Sequence, residues 1–123
     1  MDPALGDGKY LLVTTYRRDG TAVPTPVWVA RDGADLVAWT VRDSGKVKRI
    51  RAGCRVEVGP CDVRGRPLGE SSTVKARLLD AADTDRVRKL IQRKYGVVGW
   101  FVVRGSLLRR GRDGTIGIAF TSE

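Results

Sequence analysis

Along most of the chain, apolar and polar positions alternate with the period of a β-strand rather than that of a helix. Residues Tyr10 to Tyr16 (YLLVTTY) are rich in β-branched and aromatic side chains and apolar on both faces, as a strand of a closed barrel or sandwich is. Asp19-Gly20 supplies a hairpin turn, Thr21 to Ala30 follows as a second strand, and Asp32-Gly33 turns the chain into a third, Asp35 to Val41. Cys54 to Val58 alternates as a half-exposed strand, and Gly59-Pro60 is expected to break it. After the polar turn Asp62 to Pro67, the segment Glu70 to Leu79 points Val74, Ala76 and Leu78 inward and Lys75 and Arg77 outward. In the last strand, Thr115 to Phe120, Ile116, Ile118 and Phe120 face one side, while Gly117 and Ala119 on the other permit close packing. Six strands are expected.

The period becomes helical in two places. Between Asp80 and Gly96, Val87, Leu90 and Ile91 form one stripe, with acids near the start, Arg93 and Lys94 near the end, and Gly96 as the stop. Val97 to Leu108 is ambiguous: Val97, Trp100, Phe101, Leu107 and Leu108 fit helical spacing, whereas Gly99, Gly105 and the valines resist it, and we read it as helical. The other helix is short and basic. It begins where the third strand ends, in the run Trp39 to Ile50.

That junction carries the candidate chemistry. Asp43 or Ser44 can cap the helix, Gly45 lets backbone approach a ligand, and Val47 and Ile50 anchor one face. Lys46 and Arg49 share a different face, and Lys48 adds a third cation. A helix start presents free N–H groups and the positive end of the dipole, so it accepts an anion, most naturally a phosphate. The pattern also fits a solvated basic helix joining two strands. Cations in a first turn oppose the dipole preference, which favours the anion site.

Composition narrows the possibilities. The 123 residues suit a single domain, 1–123, with 41% apolar and 30% charged content, and no apolar run reaches the ~20 residues of a membrane span. The first residues lack the basic and apolar regions of a signal peptide, so a cytoplasmic location and no membrane partner are expected. The chain has no histidine, which removes Ser-His-Asp and Cys-His catalysis and the usual nitrogen ligand of zinc. Cys54 and Cys61 are seven residues apart on one strand and its exit, a spacing that suits neither a disulfide nor a metal. A net charge of +9 implies an anionic partner, although a high Arg content can also reflect base composition alone.

Pro24 and Pro26 lie two apart in the second strand, so both missing N–H groups fall on one edge and no further strand can pair there. The open edge serves either to block unwanted pairing or to offer backbone groups to a flat ligand.

The order KYLLVTT, RDGTAVPTPVWVA, the Trp39-Thr40 strand end, SGKVKRI, CRVEVGPCD with RGRP, and RKYG resembles the pyridoxamine 5'-phosphate oxidase-like split β-barrel superfamily. Within it, the chain is similar to the actinobacterial branch of deazaflavin (coenzyme F420)-dependent oxidoreductases. The resemblance runs from Lys9 to Phe120. It implies a mainly β fold with short α-helices, a six-stranded split β-barrel of the FMN-binding type. It further implies a homodimer with F420, or FMN as the alternative, between subunits, and hydride transfer to a small organic substrate.

The phosphate would fall at Ser44, Lys46, Val47, Lys48 and Arg49. The ring would lie along Thr25, Pro26, Val27 and Trp28, near Thr40. Cys61 is a weaker candidate, better explained as a small buried residue. Because the cofactor carries such chemistry, no catalytic residue is assigned, although Tyr95 or solvent could supply a proton. Two rivals stand beside this reading. A nucleic-acid-binding barrel lacks the required aromatics among its cations, so no nucleic-acid partner is expected. A non-catalytic carrier of cofactor or tetrapyrrole on the same fold is the other.

Overall fold

The computed structural model describes residues 1–122. Its strands are β1 (Tyr10–Tyr16), β2 (Ala22–Val27), β3 (Val29–Asp32), β4 (Asp35–Val41), β5 (Val56–Cys61), β6 (Ser72–Leu78) and β7 (Thr115–Ser122). Helix α1 spans Gly45–Arg51 and α2 spans Ala81–Arg110; short 3-10 turns lie at Pro3–Asp7 and Arg112–Gly114. All pairings are antiparallel, in the order β2-β1-β5-β6-β7-β4-β3.

That order explains why seven strands are present where six were expected. The segment read as one strand, Thr21 to Ala30, pairs with β1 through Val27 and with β4 from Val29 onward. Trp28 is the hinge. Since β2 and β3 are consecutive in the chain yet occupy opposite ends of the sheet, the sheet must curl until its two ends meet. The result is a split barrel whose seam is at Trp28.

The prolines suit this place. Pro24 and Pro26 sit in β2, an end strand whose only neighbour is β1. The expected break at Gly59-Pro60 does not occur, because β5 continues to Cys61. Its pairing with β6 covers only Val56 to Val58; at Pro60 the strand has β1 on one side, and on the other the proline's carbonyl accepts from Leu68 N–H at 2.9 Å, a contact that needs no N–H of its own.

Alternation along the strands divides the apolar residues between two layers. Leu11, Val13, Leu36, Val58, Ile118 and Phe120 fill the barrel, and Val47 and Ile50 of α1 plug it. Val37 and Ala119 point outward with Leu79 and meet Val87 and Ile91 of α2. Asp80 caps α2 by accepting from Asp83 N–H at 2.8 Å, and Gly117 N–H donates to Thr84 Oγ1 at 3.0 Å where helix and β7 touch.

Helix α2 is bent at Gly96, whose φ of 62° and ψ of −137° belong to a region that essentially only glycine visits. The expected stop is therefore a kink: residues 81–95 form one arm and 97–110 resume as another. Lys94, just before the bend, donates to the carbonyls of Gly6, Gly8 and Val29 at 2.6 to 2.7 Å, tying the N-terminal segment and β3 to the helix.

Candidate functional site

A cleft of about 490 Å³ opens along the seam of the barrel. One wall is the partner-switching segment Pro26-Val27-Trp28; the floor is the end of β4, Trp39-Thr40-Val41; the opposite wall is the second arm of α2, with Phe101, Val102, Gly105 and Ser106. Topology places the cleft here. A strand that changes partners cannot bond both neighbours at its hinge, and the gap is left to side chains.

Trp28 is held rigidly. Tyr95 stacks nearly parallel against it, at 4.2 Å between ring centroids and 6° between planes. The Tyr95 hydroxyl accepts from Val29 N–H at 3.1 Å and donates to the Lys9 carbonyl. Burial pushes the phenol's pKa up. Tyr95 is therefore an anchor with its proton engaged, and the acid role considered for it has no support in this geometry.

One end of the cleft is cationic. Lys46 lines it and donates from Nζ to Thr40 Oγ1 at 2.9 Å. Burial, and then the nearby positive charge of Arg49, push the Lys46 pKa down. Arg49 donates from Nε to the buried Thr15 Oγ1 at 2.7 Å. Its guanidinium lies across the start of α1, so that a Cβ on residue 45 would stand 2.8 Å from Arg49 Nη1. Among the described residues, neither Lys46 nor Arg49 has a carboxylate within ion-pairing distance.

Ser44 is the N-cap of α1, but its side chain makes no capping bond, and its buried Oγ has no partner among the described residues. Trp39 Nε1 is a second such orphan, beside the floor. Buried polar atoms without partners cost stability, and two of them around a cationic cleft end are what a polar ligand would satisfy.

Of the residues singled out from sequence, the cleft wall gathers Pro26, Val27, Trp28, Thr40 and Lys46. Ser44 and Arg49 surround the adjoining start of α1. The others do not line it. Thr25 turns to β1, its hydroxyl 3.3 Å from the Val13 carbonyl. Val47 is buried in the barrel, and Lys48 is exposed. Cys61 pairs with Tyr10 beside a different hollow, lined by Leu5, Pro60 and Leu68, where burial raises its thiol pKa.

Sequence reasoning missed Trp39, Phe101, Val102, Ser106, Arg109 and Arg110 as cleft residues. For Trp39 the alternation along β4, outward with Val37, was available as a signal. For the others there was none beyond an ambiguous helix.

No protein-family model matches the chain, and no curated protein matches it in sequence. Solved structures of the same fold do. A pyridoxamine 5'-phosphate oxidase-like protein from Listeria innocua superposes with a TM-score of 0.66 at 13% identity, over 97% of this chain and 87% of that one. An F420 reductase gives 0.61 at 18%, over 98% and 91%. The haem storage protein HutZ from Vibrio cholerae gives 0.69 at 8%, over 97% and 84%. The fold is thus that of the pyridoxamine 5'-phosphate oxidase-like split barrels, with seven strands by count.

Proposed function

We propose that this protein is a deazaflavin (coenzyme F420)-dependent oxidoreductase that exchanges a hydride with a small organic substrate. The observation that carries the reading is one cleft with largely apolar walls and an end built from a half-buried lysine that has no carboxylate in ion-pairing range among the described residues. Trp28, Val27 and Phe101 suit a planar ring system, while Lys46, Arg49 and the Ser44 hydroxyl suit a phosphate. The F420 reductase of the same fold supports the choice, and FMN is the alternative cofactor.

When bound, such a cofactor supplies the hydride-transferring carbon; this chain supplies position and electrostatics. Lys46, already desolvated and held toward Thr40, offers a fixed positive charge that needs no reorganisation. Trp28, clamped by Tyr95, orients the ring, and the arm carrying Phe101 and Val102 excludes water from its far side. The described cleft wall contains no Asp, Glu or Cys, and no catalytic residue is assigned.

The cleft is open on one side, and we assign its closure to a second copy of the chain in a homodimer. The haem storage protein of the same fold favours one competing reading, a non-catalytic carrier. A parallel fluorescence titration with F420 and FMN at fixed salt tests the assignment. Tight F420 binding with weak FMN binding is expected, followed by substrate-dependent oxidation of the reduced cofactor. Preference for FMN would move the protein to the alternative, binding without turnover would favour the carrier, and binding of neither would sink the proposal. Sedimentation equilibrium at micromolar protein checks the dimer.

A further inference from the structure

The second arm of α2 is inverted relative to ordinary amphipathic helices. Residues 97–110 touch the body along a narrow seam, where Gly99 and Val103 are buried. The opposite pole is apolar: Val97 is 73% exposed, Phe101 64% and Leu108 90%, with Trp100 beside them at 46%. Val97, Phe101, Arg104 and Leu108 follow one another at spacings of four, three and four, and so form a single stripe. Val97, Trp100 and Leu108 do not line the cleft, which this pole meets only at Phe101.

Charge identifies what the pole suits. Residues 97–110 hold three cations, Arg104, Arg109 and Arg110, and not one Asp or Glu. Arg104 interrupts the apolar stripe with its guanidinium 5.3 Å from the Trp100 ring centroid, a cation–π contact within the ridge. An isologous contact between two copies through this pole would set the same cationic segment against itself. The pole is also a ridge, not a groove, and a ridge of Trp, Phe, Val and Leu flanked by cations matches a planar, anionic, apolar-cored surface.

We propose that residues 97–110 form an interfacial membrane-binding element that lies in the headgroup region of an anionic lipid bilayer. No helix among the described residues is long and apolar enough to cross a membrane, and contact of this kind requires none. The cleft borders the same arm through Phe101, Val102 and Gly105, so docking would place the lipid surface beside the outer side of that cleft wall.

Flotation of the full chain with vesicles tests this. One set is phosphatidylcholine alone; the other contains phosphatidylglycerol as an anionic third. Wild-type protein is expected to float with the anionic vesicles at low salt at least ~10-fold better than with neutral ones, and to lose much of this at high salt. The double substitution Val97→Ser, Leu108→Ser is expected to cut anionic binding by ~10-fold while leaving cofactor affinity unchanged, so the result does not depend on the proposed oxidoreductase activity. Arg104→Gln is expected to weaken binding by a smaller factor at low salt only. Equal flotation of wild type and double variant would overturn the proposal. So would a wild-type protein that ignores both vesicles and whose dimer dissociates in the double variant, because the pole would then belong to a second copy.

Discussion

The two arms of α2 are consecutive in sequence and opposite in construction. Residues 81–95 put Val87 and Ile91 against the outer face of the sheet, leave Arg86, Lys89 and Arg93 exposed, and are capped by Asp80 and tied by Thr84 to Gly117. Residues 97–110 bury little beyond Gly99 and Val103 and turn Val97, Phe101 and Leu108 outward. The first arm follows the rule that apolar surface goes inward, and it secures the fold. The second departs from it and instead builds a cleft wall and an exposed ridge. Local violations of the burial rule mark where a structure is committed to something other than its own stability.

The largest effect is expected in the first arm. Ile91→Ala removes a fully buried side chain from the layer between helix and sheet and should cost about 2–5 kcal/mol, read from the urea midpoint. A loss below about 1 kcal/mol would mean that this layer collapses around the cavity and that the arms differ less than their burial suggests. Gly96→Ala probes the junction: its backbone angles should cost about 1–3 kcal/mol, and cofactor affinity should fall with stability because the cleft wall moves.

Lys46 separates binding from folding. Lys46→Ala should weaken binding of a phosphate-bearing cofactor by about 1–3 kcal/mol, roughly 5- to 150-fold, in a protein that remains folded. The lysine's folded pKa is depressed, by burial first and Arg49 second, so the unfolded chain holds the extra proton between the folded and unfolded values. Stability of the free protein should thus rise with pH across that window, while anion binding should fall as Lys46 loses its charge. Lys46→Met should abolish the Lys46 contribution to both slopes and raise the melting temperature slightly at neutral pH, a trade measurable by calorimetry and titration. The smallest effect belongs to the ridge: Leu108→Ser should change folding stability by no more than about 0.5 kcal/mol, since its side chain is already in solvent.

Part of the candidate site is legible in the sequence. The spacing of Val47 and Ile50 placed α1's buried face, and both residues plug the barrel. Lys46 and Arg49, three apart, were read as one face, and the two side chains grip Thr40 and Thr15 beside each other. By contrast, Lys48 was grouped with them on charge alone, although its place on the helix leaves it exposed. Cys61 was drawn in by proximity to a strand end, and it packs beside another hollow. Lys46 and Arg49 converge because a spacing of three is a geometric constraint, Pro26, Val27, Trp28 and Thr40 reach the cleft wall from the family resemblance, and charge or neighbourhood alone fixes no direction for Lys48 or Cys61.

What the sequence determined by itself is therefore local: the alternation that divides each strand between barrel and outer layer, the anchored basic helix, and an interruption of the helical stretch at Gly96, which is read as a stop and is a bend in the structure. These follow from dihedral preferences and side-chain period over a few residues. Only the tertiary structure decided that the Thr21–Ala30 segment changes partners at Trp28 and that Tyr95, 66 residues from Val29, locks the hinge. It alone set the second arm of α2 across the cleft from Pro26. Pairing partners and converging walls depend on where distant segments meet as the sheet curls, and no local period carries that information.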